Sequence, residues 1–147
     1  MEREKLLAMA RESVDAWNRG DAAGTVANAA DDIVHHDGGL GMDVHGKAEL
    51  RDLAQRYMTA FPDLHVEITS TTCEDDRLVQ EWVATGTHEG DLMGMAPTHR
   101  HVEFRGCAVG EIGEDGLEHR SAQYWEALSL MNQLGMSPAT AGAAGQA

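Results

Sequence analysis

The chain has 147 residues, 42% of them hydrophobic, and carries 11 basic against 25 acidic residues for a net charge of −14. This is the size of one domain, able to bury about 70% of its unfolded surface without covalent staples. The charge repels phosphate backbones and anionic bilayers, which excludes nucleic acid and a membrane surface as partners. No apolar run approaches the ~18 residues of a membrane span, and residues 1–14 contain no signal-peptide core. Cys73 and Cys107 form neither a CxxC pair nor a disulfide framework. A cytoplasmic protein is predicted.

Leu7, Ala10, Val14 and Trp17 recur at helical spacing, with charged residues ahead of them and Gly20 behind. Asp21 is placed to cap a second helix over 22–29. Residues 33–36 read as a short strand broken by Asp37-Gly38-Gly39. A third helix is predicted over 47–61, with Leu50, Leu53, Ala54, Tyr57 and Phe61 on one face and Pro62 as its stop. Beyond Pro62 the period changes to that of strands: 65–69, 78–88, 100–112 and 117–125. Turns fall at Asp75-Asp76 and Glu114-Asp115-Gly116, and a Gly/Met/Pro loop covers 89–98. Leu128, Met131 and Leu134 predict a short closing helix ending at Gly135. The folded domain is therefore 1–135, and the Ala/Gly-rich 136–147 is predicted to be a disordered tail.

Helices followed by strands specify an α+β fold, with N-terminal helices packed on a curved mixed or antiparallel sheet. Such a cone has an open mouth, lined by alternate strand residues. Phe104, Gly106 and Ala108 are apolar or small while Glu103, Arg105 and Glu111 are charged, so the even set is predicted to face inward. Trp82 and Ala84 follow the same logic. On the last strand the odd set (His119, Ser121, Gln123, Trp125) is predicted to face inward and Glu118 outward. Val79, Val83, Cys107 and Val109 then lie on the outer face among charges, a mixed surface suited to a homodimer.

The blocks Ala16-Trp17-Asn18-Arg19-Gly20-Asp21, Ala60-Phe61-Pro62-Asp63-Leu64, 84–90, 93–98 and Gln133-Leu134-Gly135 resemble the SnoaL-like polyketide cyclase family. The resemblance runs from about Arg3 to Gly135. It implies the nuclear-transport-factor-2-like cone, usually dimeric through the outer sheet face. It also implies a chemistry that is cyclisation in some members and cofactor-free hydroxylation or epoxide hydrolysis in others. In the cyclases an aspartate on the last strand is the acid/base. That position is Gln123 counting back from Gln133-Leu134-Gly135, or Ser121 counting from His119-Arg120. Neither is a carboxylate. The Gln and His that the cyclases carry on the preceding strand fall at Gly106 and Ala108. The Asp–Arg–Asp set of the epoxide hydrolases falls at Trp82, Ala84 and Gln123.

The candidate catalytic residues are accordingly Gln123, His35, Asp37 and His119. The Gln123 amide can polarise a carbonyl or be satisfied by backbone. Only one of the neighbours His35 and His36 can enter a pocket, and an imidazole there titrates near neutrality. Asp37 can orient a histidine or act as base. His119 either meets His35 across the mouth or sits at the rim. Trp82, Phe104, Gly106, Ala108, Ser121 and Trp125 are candidate walls for a hydrophobic small molecule, and Met93 and Met95 a candidate lid. No HExxH, phosphate loop or GxSxG motif occurs, so no metal and no cofactor is predicted. The leading expectation is a cofactor-independent cyclase closing its ring by a pericyclic, Diels–Alder-type route in a neutral pocket. The alternatives are a hydroxylase, hydrolase or acid–base cyclase using His35 and Asp37, and a non-catalytic binder of hydrophobic small molecules.

Overall fold

A computed structural model describes residues 2–136; the predicted tail over 137–147 lies outside the described residues. The chain opens with α1 (Arg3–Asn18), which buries Leu6, Ala10 and Ala16. Asp21 caps α2 by accepting from the Gly24 amide at 2.9 Å. That helix stops after one turn (Ala22–Thr25) rather than running to residue 29. The chain instead enters β1 (Ala29–Asp37), so the predicted strand is longer at both ends and contains Asp37. A strand missed in the sequence, β2 (Met42–His45), folds back antiparallel on β1. It has one buried side chain, Val44, too little for a period to be read.

Helix α3 (Lys47–Ala60) buries Leu53, Ala54, Met58 and Ala60. The strands β3 (His65–Glu74), β4 (Arg77–Thr87), β5 (His101–Ile112) and β6 (Glu118–Trp125) form an antiparallel meander, and α4 (Ala127–Gln133) closes the fold. The sheet order is β2-β1-β6-β5-β4-β3, with β1 inserted parallel to β6. One end of the sheet carries the main core, where Phe61, Ala84, Val102 and Phe104 meet Leu130 and Leu134 around α4. Helices α1 and α3 cover the remainder and leave a cavity between themselves and the sheet.

The predicted alternation holds on β4 and β5: Trp82, Ala84, Val102, Phe104 and Ile112 are buried. It fails at the start of β6. Glu111 pairs with Arg120, but Ile112 pairs with Glu118, so His119 is an extra residue in a β-bulge. Beyond a bulge the parity of a strand reverses. Glu118, opposite inward Ile112, therefore faces the cavity with Ser121 and Gln123, and His119 is turned out.

The 89–98 loop is fastened rather than free. Leu92 is buried, Met95 packs on the main core, and the Thr98 amide donates to Nδ1 of the buried His88 at 3.2 Å. Met93 is exposed and borders a shallow groove with Gln55, Arg56 and Asp91, outside the cavity. Neither methionine is on the cavity wall. Gly106 also needs correction as a wall residue: the Trp82 indole lies across it, and a Cβ there would stand 2.3 Å from Trp82 Cζ2. Gly106→Ala forces that ring off its T-shaped contact with Phe104 (5.9 Å, 82°). We expect a loss of ~1–3 kcal/mol, read from urea unfolding midpoints.

Candidate active site

The cavity has a volume of about 210 Å³ and draws its wall from α1, α3 and the inner face of the sheet. Most of that wall is apolar. Its polar members include His35 and Asp37 from β1, Tyr57 from α3, Gln80 from β4, and Glu118, Ser121 and Gln123 from β6, with Ser13, Thr25 and Asn28 at the helical side.

Asp37 is 2% exposed and its carboxylate is held by three donors. Tyr57 OH donates to Oδ2 at 2.5 Å; Trp125 Nε1 and the Leu40 amide donate to Oδ1, each at 2.9 Å. Burial and this bond to Asp37 hold the Tyr57 phenol far above its ordinary range. Trp125 is thereby fixed edge-on to Tyr57 (6.1 Å, 85°) and against Phe104 (5.6 Å). Asp37 thus anchors the aromatic wall. It makes no hydrogen bond to His35, which corrects the expectation that it orients the histidine.

Of the adjacent histidines, His35 enters the cavity and His36 faces out, where its Nδ1 meets Asp43 Oδ1 at 2.7 Å. His35 is 5% exposed and its Nδ1 lies 2.6 Å from Ser121 Oγ, on the residue paired with it across the β1–β6 ladder. Its Nε2 has no hydrogen-bond partner among the described residues. Burial draws the imidazole below its ordinary value, and the charge of Asp37 on the same face partly opposes this.

Gln123 lines the cavity as predicted, and its Oε1 is buried with no hydrogen-bond partner among the described residues, as is Trp82 Nε1. Ser121, Trp82, Phe104, Ala108 and Trp125 are also on the wall. His119 is not. Its ring is bonded to Asp115 at 2.9 Å and lies 3.9 Å from Asp32 on the outer rim, which removes it from the catalytic set.

Glu118, expected to face outward, is on the cavity wall where His119 was expected. Its carboxyl has no hydrogen-bond partner among the described residues, and burial alone pushes it up to about 7. A cavity that the sequence suggests is neutral therefore contains an ionisable acid and an ionisable base. The available signal was Gly110: a Cβ there would stand 2.3 Å from Glu118 Oε2, so the glycine leaves room for the carboxyl.

The α+β cone with this cavity is the ketosteroid-isomerase-like fold of its structural neighbours. The chain belongs to the SnoaL-like polyketide cyclase family, which matches residues 8–134. A comparison with curated proteins gives no match. Similar solved structures include AclR, a proposed hydroxylase from Streptomyces galilaeus, at 30% identity and TM-score 0.79, covering 92% of this chain and 87% of that one. TsrD from Streptomyces laurentii has 21% identity and TM-score 0.81 over 92% and 98% of the two chains. IdmH, a proposed polyketide cyclase from Streptomyces antibioticus, has 22% identity and TM-score 0.74 over 88% and 97%. No helix among the described residues is long and apolar enough to cross a membrane.

The raised Glu118 carboxyl carries a stability signature. A folded-state value above the unfolded one stabilises the fold at low pH, and that contribution is lost as pH rises from 4.5 to about 7. Glu118→Gln removes the loss. We expect it to match the wild type near pH 4.5 and to exceed it by up to ~3 kcal/mol at pH 8, read from denaturant titrations at the two pH values.

Proposed function

We propose that the protein closes a ring in a hydrophobic polyketide-like intermediate by acid–base catalysis, with His35 as the base. The observation that carries this reading is the pose of His35: Nδ1 is held by Ser121, and Nε2 is without a partner in a largely apolar cavity. With Nδ1–H donating to Ser121, Nε2 presents its lone pair. An imidazole drawn below its ordinary value stays neutral at pH 7, which is the form a base requires. Nε2 takes a proton from a carbon flanked by two carbonyls, the carbon's electron pair attacks a ketone of the same chain as its C=O π bond opens, and the imidazolium returns the proton to the resulting alkoxide. The Gln123 amide supports the oxygen on which charge develops. Asp37, two residues from His35 on the same face, favours the imidazolium that forms. The apolar walls order the flexible chain before reaction.

The likeness to AclR supports a second reading, in which the same base ionises a phenol or enol whose anion reacts with dioxygen, one oxygen atom entering the product and the other leaving as water with the electrons taken from the substrate. Mass analysis of the product separates the two: ring closure by this route adds no oxygen, hydroxylation adds one. We also propose a homodimer through the outer sheet face, where Tyr124 is 54% exposed beside half-buried Cys107.

With a linear poly-β-ketone and no added cofactor, His35→Ala should lose ~100-fold or more in kcat with the fold intact. Ser121→Ala should lose roughly tenfold, because the imidazole then lacks its positioning partner. The rate should climb with pH on a limb centred below ~6.5. A flat profile with His35→Ala nearly as active as wild type would favour the pericyclic route, and binding without turnover a carrier protein. For the dimer, light scattering at micromolar concentration should give twice the chain mass of 15.9 kDa; a stable monomer removes the claim.

A further inference from the structure

The carboxyl of Glu118 has a defined position in the cavity. It lies over Gly110, where a Cβ would come within 2.3 Å of Oε2. Gly110 stands directly opposite Ser121 on β6, and Ser121 directly opposite His35 on β1. The imidazole and the carboxyl therefore occupy one row across the sheet, with Ser121 between them. Strands ~4.8 Å apart put the backbones of β1 and β5 ~10 Å from each other. What the carboxyl lacks is a donor. The Glu118 backbone is held in the sheet, the amide donating to the Asn28 carbonyl at 2.8 Å.

The geometry points to Glu118 as a second polar subsite, accepting a hydrogen bond from a phenolic or enolic hydroxyl of the ligand on the side of Ser121 away from His35. The assignment rests on the ring-closure reading for its class of ligand. A ligand hydroxyl supplies the donor that the protein withholds, and a hydrogen bond to a charged acceptor is strong where water is excluded. A hydroxyl that favours the ionised carboxyl must bind more tightly as that group loses its proton, so affinity rises with pH through about 7. The other titratable groups on the cavity wall are His35 and Asp37 on β1 and Tyr57 on α3; α1, α2, β3, β4 and β5 present none to it.

Equilibrium dialysis of the full chain with 2-naphthol, naphthalene and 2-naphthylmethylamine at pH 5.5 and 8.0 tests the assignment without any turnover. In the wild type, 2-naphthol should bind several-fold more tightly at pH 8.0 than at 5.5, while naphthalene is insensitive to pH. Glu118→Gln, which is near-isosteric, should abolish the rise. Glu118→Leu should weaken 2-naphthol ~10-fold or more at pH 8.0 and leave naphthalene within about twofold. A pH-independent wild type, or a Glu118→Leu variant that binds 2-naphthol as tightly as wild type, overturns the subsite. A preference for 2-naphthylmethylamine over 2-naphthol overturns the hydroxyl assignment and makes the carboxylate a cation site. Failure of the ring-closure reading would appear instead in the turnover of His35 variants, so the two are separable.

Discussion

A carboxylate withdrawn from water persists in a protein interior only where donors replace its hydration. Asp37 has three: the Tyr57 phenol, the Trp125 indole and the Leu40 amide. These groups come from α3, from the end of β6 and from the turn after β1, so one buried carboxylate ties together three separate parts of the chain. Removing any donor would leave a charged acceptor short of a partner, which is far more costly than losing an ordinary hydrogen bond. The direction of β1 is set by the same contact. With Asp37 inward, His35 two residues earlier must also face inward, and His36 must face solvent.

That dependence explains why alternation alone does not choose between the two histidines, although His35 is the one named as a candidate. His35-His36-Asp37 gives a polar residue on either face, and nothing in its composition says which one is buried. The choice is made by Tyr57 and Trp125, 20 and 88 residues away from Asp37. By contrast, α3 and the inner residues of β4 and β5 were legible, because large apolar side chains repeat there at the period of the element. β2 was not, since one buried valine makes no period.

The error on β6 has a different origin. Alternation was carried in register from Gln123 back to Glu118, and a single bulged residue, His119, reverses it. A bulge leaves little mark in the sequence of the strand that bears it. The mark here was on the neighbouring strand, where Gly110 stands at a position whose inward neighbours Ala108 and Ile112 carry side chains. Loss of a side chain in an otherwise filled row signals that another group occupies the space, and that group is the Glu118 carboxyl.

The two ends of the inner face consequently have different chemistry. Around α4 the sheet is filled by Phe61, Val102 and Phe104, and packing leaves no freedom there. Toward α1 the row His35–Ser121–Gly110 offers a base, a hydroxyl that positions it, and a gap holding a carboxyl. A carboxylate at residue 121 or 123 would sit beside the imidazole or beside Asp37, where like charges and ion pairing would fix its state. Displaced to 118 by the bulge, it lies over Gly110 with Ser121 between it and His35, and it is shifted by burial alone. Acid and base are then free to respond to different atoms of one ligand. The absence of a carboxylate at 121 and 123 accordingly leaves the cavity with its ionisable groups at different places, rather than with none.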